Sequence, residues 1–105
     1  MEVMTQEEIE ELKTETLEDL FEFLLGEIMD SQEYVEVAYE SKDLNNPQLT
    51  AMLIAHSKDE VRHGAELVAI INTMVGNLKG NSLAPLYENV LSWHEKVKKK
   101  VEAFK

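Results

Sequence analysis

The stretch "NPQLTAMLIAHSKDEVRHGAELV", Asn46 to Val68, decides the fold. Asn46 belongs to the residue types that cap helices, and Pro47 suits the first helical position, where its missing N–H leaves nothing unsatisfied. From there Leu49, Leu53, His56, Glu60, His63, Leu67, Ile70 and Met74 recur at alternating steps of four and three. That is the period of one helix face. The spacing predicts a helix from about Pro47 to about Gly76. Its seam has apolar layers at both ends and a polar layer, His56, Glu60 and His63, in the middle.

Working outward, Thr5 and Glu8 have the spacing of a capping box, which opens a helix near the N-terminus. Thr14 and Thr16 are expected to break it, with Thr16 and Asp19 opening the next. From Leu17 the seam runs through Leu20, Leu24, Glu27, Ser31, Tyr34 and Ala38, again in steps of three and four. The segment "LNNPQ", Leu44 to Gln48, ends it. On the far side "GNLKGNS", Gly76 to Ser82, is a second breaker. A third helix is expected from about Leu83 to Phe104, with the stripe Leu83, Leu86, Val90, Trp93, Val97, Val101 and Phe104. A short loop between two long helices makes them an antiparallel hairpin. The expected architecture is therefore all-α: a single domain over residues 1–105, with a hairpin core at about 16–78 and a C-terminal helix at about 83–104.

Composition excludes several classes of function. No cysteine is present, so disulfides, iron–sulfur clusters and thiolate zinc sites are ruled out, and any metal must be held by carboxylates and imidazoles. No apolar run is long enough to span a membrane. The N-terminus lacks the basic and apolar regions of a secretory signal, which leads to the expectation of a cytoplasmic protein. The formal net charge is −11, and it is concentrated: residues 1–40 hold fourteen acidic side chains and one lysine. Such a chain repels nucleic-acid phosphates. The lysines of "KVKKK", Lys96 to Lys100, are read as favouring the negative end of a C-terminal helix dipole.

The polar layer carries the chemistry. Periodicity assigns Glu27, Glu60, His63 and His56 to core positions, and a carboxylate in an apolar core is costly unless it is paired or binds a metal. Two facing carboxylates repel each other, and a divalent cation turns that repulsion into attraction. His63 lies one turn beyond Glu60, so both can reach one point. Glu-x-x-His is the spacing used by di-iron helical bundles, which take a further Glu from each remaining helix. One chain supplies half of such a set: Glu27, Glu60 and His63. Two hairpins related by a two-fold axis would complete a four-helix bundle, and a homodimer is expected. The competing interpretations place Glu60 and His63 on a surface groove, or in a salt bridge with each other.

Other residues have plainer expectations. His56 is either an extra ligand or a histidine just behind the ligands. Asp59, about 100° round the helix from Glu60, faces outward. Asp30, Glu33 and Glu36 either form a solvated face or line an acidic approach that attracts cations. Gly26 either admits a close neighbouring helix or is a tolerated helix glycine. Trp93 and His94 are assigned to packing and surface, and the methionines to core filling.

These residues resemble a family. Glu27, Tyr34 seven later, Ala38 eleven later, and Glu60 and His63 at 33 and 36 later are similar to the first half of a rubrerythrin-type ferritin-like domain. Asn46 to Val68 also resembles the corresponding stretch of encapsulated ferritins, whose half-length hairpins dimerise around a di-iron site. The resemblance covers roughly residues 24 to 74. It implies that Glu27 is the carboxylate of the first helix, Glu60 the bridging carboxylate and His63 the terminal imidazole. Tyr34 would hold a ligating carboxylate in orientation by hydrogen bonding. It implies iron as the metal, with manganese and zinc tolerated by similar ligands. It also implies a homodimer or ring of dimers, an encapsulating shell as partner, and ferroxidase-type oxidation of Fe(II) by oxygen or peroxide. Two other functions compete: a non-catalytic assembly module with a structural or vacant metal site, and a carboxylate-bridged oxidase of an organic substrate.

Overall fold

A computed structural model of the chain describes residues 3–75 and 84–105. Among the described residues the structure is helical, with no strand. Three α-helices follow in order: α1, Gln6–Ser41; α2, Pro47–Val75; and α3, Ala84–Glu102. The first two form the expected antiparallel hairpin, and α3 packs along one side of it.

Helix α1 begins at the expected capping box. The Thr5 side chain accepts from the Glu8 N–H at 3.1 Å, and the Glu8 carboxylate accepts from the Thr5 N–H at 3.1 Å. The expected break at Thr14 and Thr16 does not occur, and α1 is continuous for 36 residues. Thr14 turns its hydroxyl back onto the Glu10 carbonyl at 3.0 Å, so the group that competes with helix is satisfied inside it. The connection is a short 3-10 turn, Lys42–Leu44, followed by Asn45 at φ 52, the left-handed conformation that asparagine tolerates best after glycine. Asn46 then caps α2 as its residue type predicts, its Oδ1 accepting from the Leu49 N–H at 3.1 Å. The expected breaker at residues 76–82, and Leu83 at the start of the third helix, lie outside the described residues.

The buried stripe of α1 is Leu17, Phe21, Leu24, Ile28, Ser31, Val35, Ala38 and Ser41. This corrects the expected seam. Leu17, Leu24, Ser31 and Ala38 are common to both, but the intervening positions are Phe21, Ile28 and Val35 rather than Leu20, Glu27 and Tyr34. On α2 the residues most buried against the hairpin are Leu53, Ser57, Gly64 and Ile71, and His56, Ile70 and Met74 are exposed. On α3 the buried stripe is Tyr87, Val90, His94, Val97 and Val101; Leu86 is exposed, and His94, expected at the surface, is 4% exposed. Two adjacent stripes of each helix are almost equally periodic, and the buried one is the one that meets the other helices: α1 and α2 meet through Ser31 and Ser57, and α3 turns Tyr87 to Phe21 and His94 to Gly64.

At the centre of the hairpin, α1 and α2 are joined by reciprocal serine contacts. Ser31 Oγ donates to the Ser57 carbonyl at 3.0 Å, and Ser57 Oγ donates to the Ser31 carbonyl at 2.8 Å. Both residues are fully buried. Small side chains let the helices approach there, one turn from Glu27 on α1 and three residues from Glu60 on α2. Helix α3 is anchored by Phe21 against Tyr87, by Tyr39 edge-on to Phe104, and by Trp93 Nε1 donating to Gln32 Oε1 at 2.8 Å. Gln32, five residues on from Glu27, lies about 140° round α1. Helix α3 thus covers the side of the hairpin away from Glu27.

Candidate metal centre

Glu27 comes from the middle of α1, and Glu60 and His63 from the middle of α2. The register set by Ser31 and Ser57 brings them level, and each offers a ligand atom within 4.8 Å of those of the other two. All three are half-buried rather than sealed in the core. Their expected core position is therefore corrected: they line the edge of the α1–α2 contact, on the face that α3 leaves open.

The electrostatics are those of a site short of positive charge. Glu27 Oε2 is buried, and with both carboxylates ionised it has no hydrogen-bond partner. His63 Nδ1 lies 3.6 Å away, beyond hydrogen-bonding range. The Glu60 carboxyl is pushed up to about 7, first by sharing a hydrogen bond with Glu27, then by burial and by the Glu27 charge; His63 acts in the opposite direction. Two carboxylates sharing a proton in this way hold one positive charge where a divalent cation would bring two. The donor set, two hard carboxylates and one imidazole, suits iron, manganese or zinc. An orphaned carboxylate oxygen aimed into the cluster fits a metal ligand better than a structural salt bridge, which would satisfy it.

The surroundings sort the other expected residues. Tyr34, two turns along α1 from Glu27, is half-buried, and its ring lies against His56 with centroids 5.3 Å apart and planes tilted by 32°. His56 is exposed and stands outside the three-residue cluster. Asp59 faces outward, 3.7 Å from Arg62. Asp30 and Glu33 line a cavity of about 260 Å³ with Tyr34, Val37 and Leu53. Glu36 lies on the other side of α1, 3.7 Å from Lys100 of α3. Among the described residues, no neighbouring helix comes within 4 Å of a Cβ built on Gly26, so none uses it for close approach.

Two features of the site region escape sequence reasoning. The Ser31–Ser57 lock reads as an ordinary step in a stripe, since serine carries no apolar signal. Gly64 follows His63, yet its role lies about 100° round α2, on the buried stripe, where a Cβ would come within 2.9 Å of the His94 ring. Only the packing of α3 reveals either the need for glycine or the partner it serves.

Compared with known protein families, curated proteins and solved structures, the chain matches none of them.

Proposed function

We propose that the chain is one half of a ferritin-like di-iron carboxylate protein, with Glu27, Glu60 and His63 as its ligands and Fe(II) oxidation as its activity. The observation that carries this reading is the convergence of the three side chains around a buried, unpartnered Glu27 oxygen. Iron held there supplies the electrons that reduce oxygen or peroxide. The chain's own residues supply the rest. Glu27 and Glu60 give hard oxygen donors that tolerate both oxidation states, and His63 adds a neutral nitrogen donor. Loading displaces the proton that Glu27 and Glu60 share, so affinity rises as the pH passes upward through about 7.

Three ligands from one chain leave a bundle site incomplete, which supports a two-fold partner. The face that carries the ligands is also apolar. Phe23, one turn before Glu27, is 59% exposed, and Ile70, two turns after His63, is 50% exposed. Met52, Val37 and Met74 extend the same open face. A second hairpin laid there would bury these residues and bring a second Glu27, Glu60 and His63 to the first.

Aerobic addition of Fe(II) to the purified protein tests the reading. A ferric absorption band should grow as oxygen is consumed, and Glu60→Ala should abolish both while leaving the helical circular dichroism intact. Iron binding without oxygen consumption would favour a structural metal in an assembly module instead. If neither the wild type nor the variant takes up iron, the proposal fails.

A further inference from the structure

His94 is the only buried histidine of the described residues, and nothing in the metal centre uses it. It stands in the middle of α3, on the stripe that faces the hairpin. Its imidazole fills the space that the missing side chain of Gly64 leaves: a Cβ there would meet the ring Cε1 at 2.9 Å and Nδ1 at 3.0 Å, and Leu24 of α1 borders the same spot. The fit holds only while the ring stays close against the α2 backbone. It is flanked along α3 by Val90 and Val97, both buried in the apolar core.

We propose that the His94 imidazole, seated against Gly64, is a pH-sensitive latch that releases α3 from the hairpin when it takes up a proton. A protonated ring in this seat is an uncompensated charge among apolar groups. At this seat the ring lies against the Gly64 backbone of α2, with the Leu24 side chain of α1 beside it, and neither group carries a charge. The charged groups that act on it belong to its own helix: Glu95 favours the proton and Lys98 opposes it, so they offset each other. Burial is the larger effect and disfavours the charged form. Release lets the ring reach water, where a histidine of ordinary pKa holds its proton in mildly acidic solution. The latch seats on the buried stripe of α2, at Gly64, about 100° round the helix from His63.

The molecule carries its own reporter. Trp93, the single tryptophan, precedes His94 and hydrogen-bonds across to Gln32 of α1, so its emission reads whether α3 is docked. In the full chain, acidification from about pH 8 to about pH 5 should red-shift that emission with a midpoint below 6.5, the ordinary value of histidine, while most of the helical signal persists. His94→Gln, similar in length and uncharged, should remove the transition. Glu60→Gln should keep it, which separates the latch from titration at the metal centre. Emission that stays constant across this range in the wild type, or the same transition in His94→Gln, overturns the proposal. Should His94→Gln not fold, proton NMR of the wild type decides the matter. The His94 ring resonance must titrate together with the Trp93 shift, and titration at a different pH refutes the latch.

Discussion

Glu60 sets the behaviour of the metal-free protein. Its pKa in the folded chain, about 7, lies above the 4.5 of an unfolded chain. The folded state therefore binds the extra proton between those values. The associated stability is fully present below 4.5 and is lost as the pH rises through about 7. In a chelator, the melting temperature should fall between about pH 6.5, above which His94 no longer titrates, and about pH 8. Glu60→Gln, which cannot ionise, should flatten that slope, and a slope unchanged in the variant would remove Glu60 as its cause. His94 acts with the opposite sign. Its folded pKa is depressed, so the stability it contributes is present above 6.5 and is lost as the pH falls through the folded value. Loss at both ends leaves the metal-free chain most stable between the two titrations. Metal should reverse the alkaline limb, because a cation replaces the shared proton; calorimetry should find tighter binding at pH 8 than at pH 6.

The helices are held in register by contacts that polar and small residues make. Ser31 and Ser57 each satisfy a backbone carbonyl of the facing helix. Replacing either by alanine should cost about 0.5–1.5 kcal/mol, the net worth of one neutral hydrogen bond. Ser57→Leu should cost more, about 1–3 kcal/mol, because a large side chain must force α1 and α2 apart where the two buried serines meet. Chemical denaturation measures both, and Ser57→Leu should also weaken metal binding by separating Glu27 from Glu60. Gly64 sets two effects against each other. Alanine there gains about 1 kcal/mol of helix propensity, but overpacking against a buried ring costs about 1–3 kcal/mol. Gly64→Ala should therefore be mildly destabilising on its own and stabilising in a His94→Ala background. A double-mutant cycle that shows no coupling between the two positions would rule out their contact.

As a whole molecule the chain is thin, with extents of 60 × 31 × 15 Å. One side of the hairpin is covered by α3, and the other displays exposed apolar side chains beside Glu27, Glu60 and His63, with Asp30 and Glu33 nearby. In solution the protein should run at twice its 12.0 kDa mass or at a multiple of that. Ile70→Asp places a charge on the open face without touching a ligand. It should reduce the mass to that of one chain and lower iron oxidation, with helical content retained. Sedimentation of wild type and variant checks this, and a wild type that remains a monomer at micromolar concentration would end the two-fold scheme.

Much of this was already legible in the linear chain. Thr5 and Glu8, then Asn46 and Pro47, mark helix starts through local hydrogen bonding that needs no distant partner, and both appear where their residue types place them. Steps of three and four put Glu27 on one helix and Glu60 with His63 on the next, and a short loop makes those helices antiparallel, so the three had to meet at some level. Tertiary structure decided the rest. Thr14 and Thr16 read as a break, but a hydroxyl can be satisfied within a helix as well as at its end, as that of Thr14 is on the Glu10 carbonyl. Whether Glu27 or Ile28 points into the hairpin is a rotation of about 100°, smaller than the width of an apolar face. That rotation is fixed by where α3 lands, with Trp93 on Gln32 and His94 in the notch at Gly64. Sequence determines the periodicity of each helix, a property of neighbours along the chain. Its orientation about its own axis is a property of all three helices at once, because it depends on which faces bury the most apolar surface together.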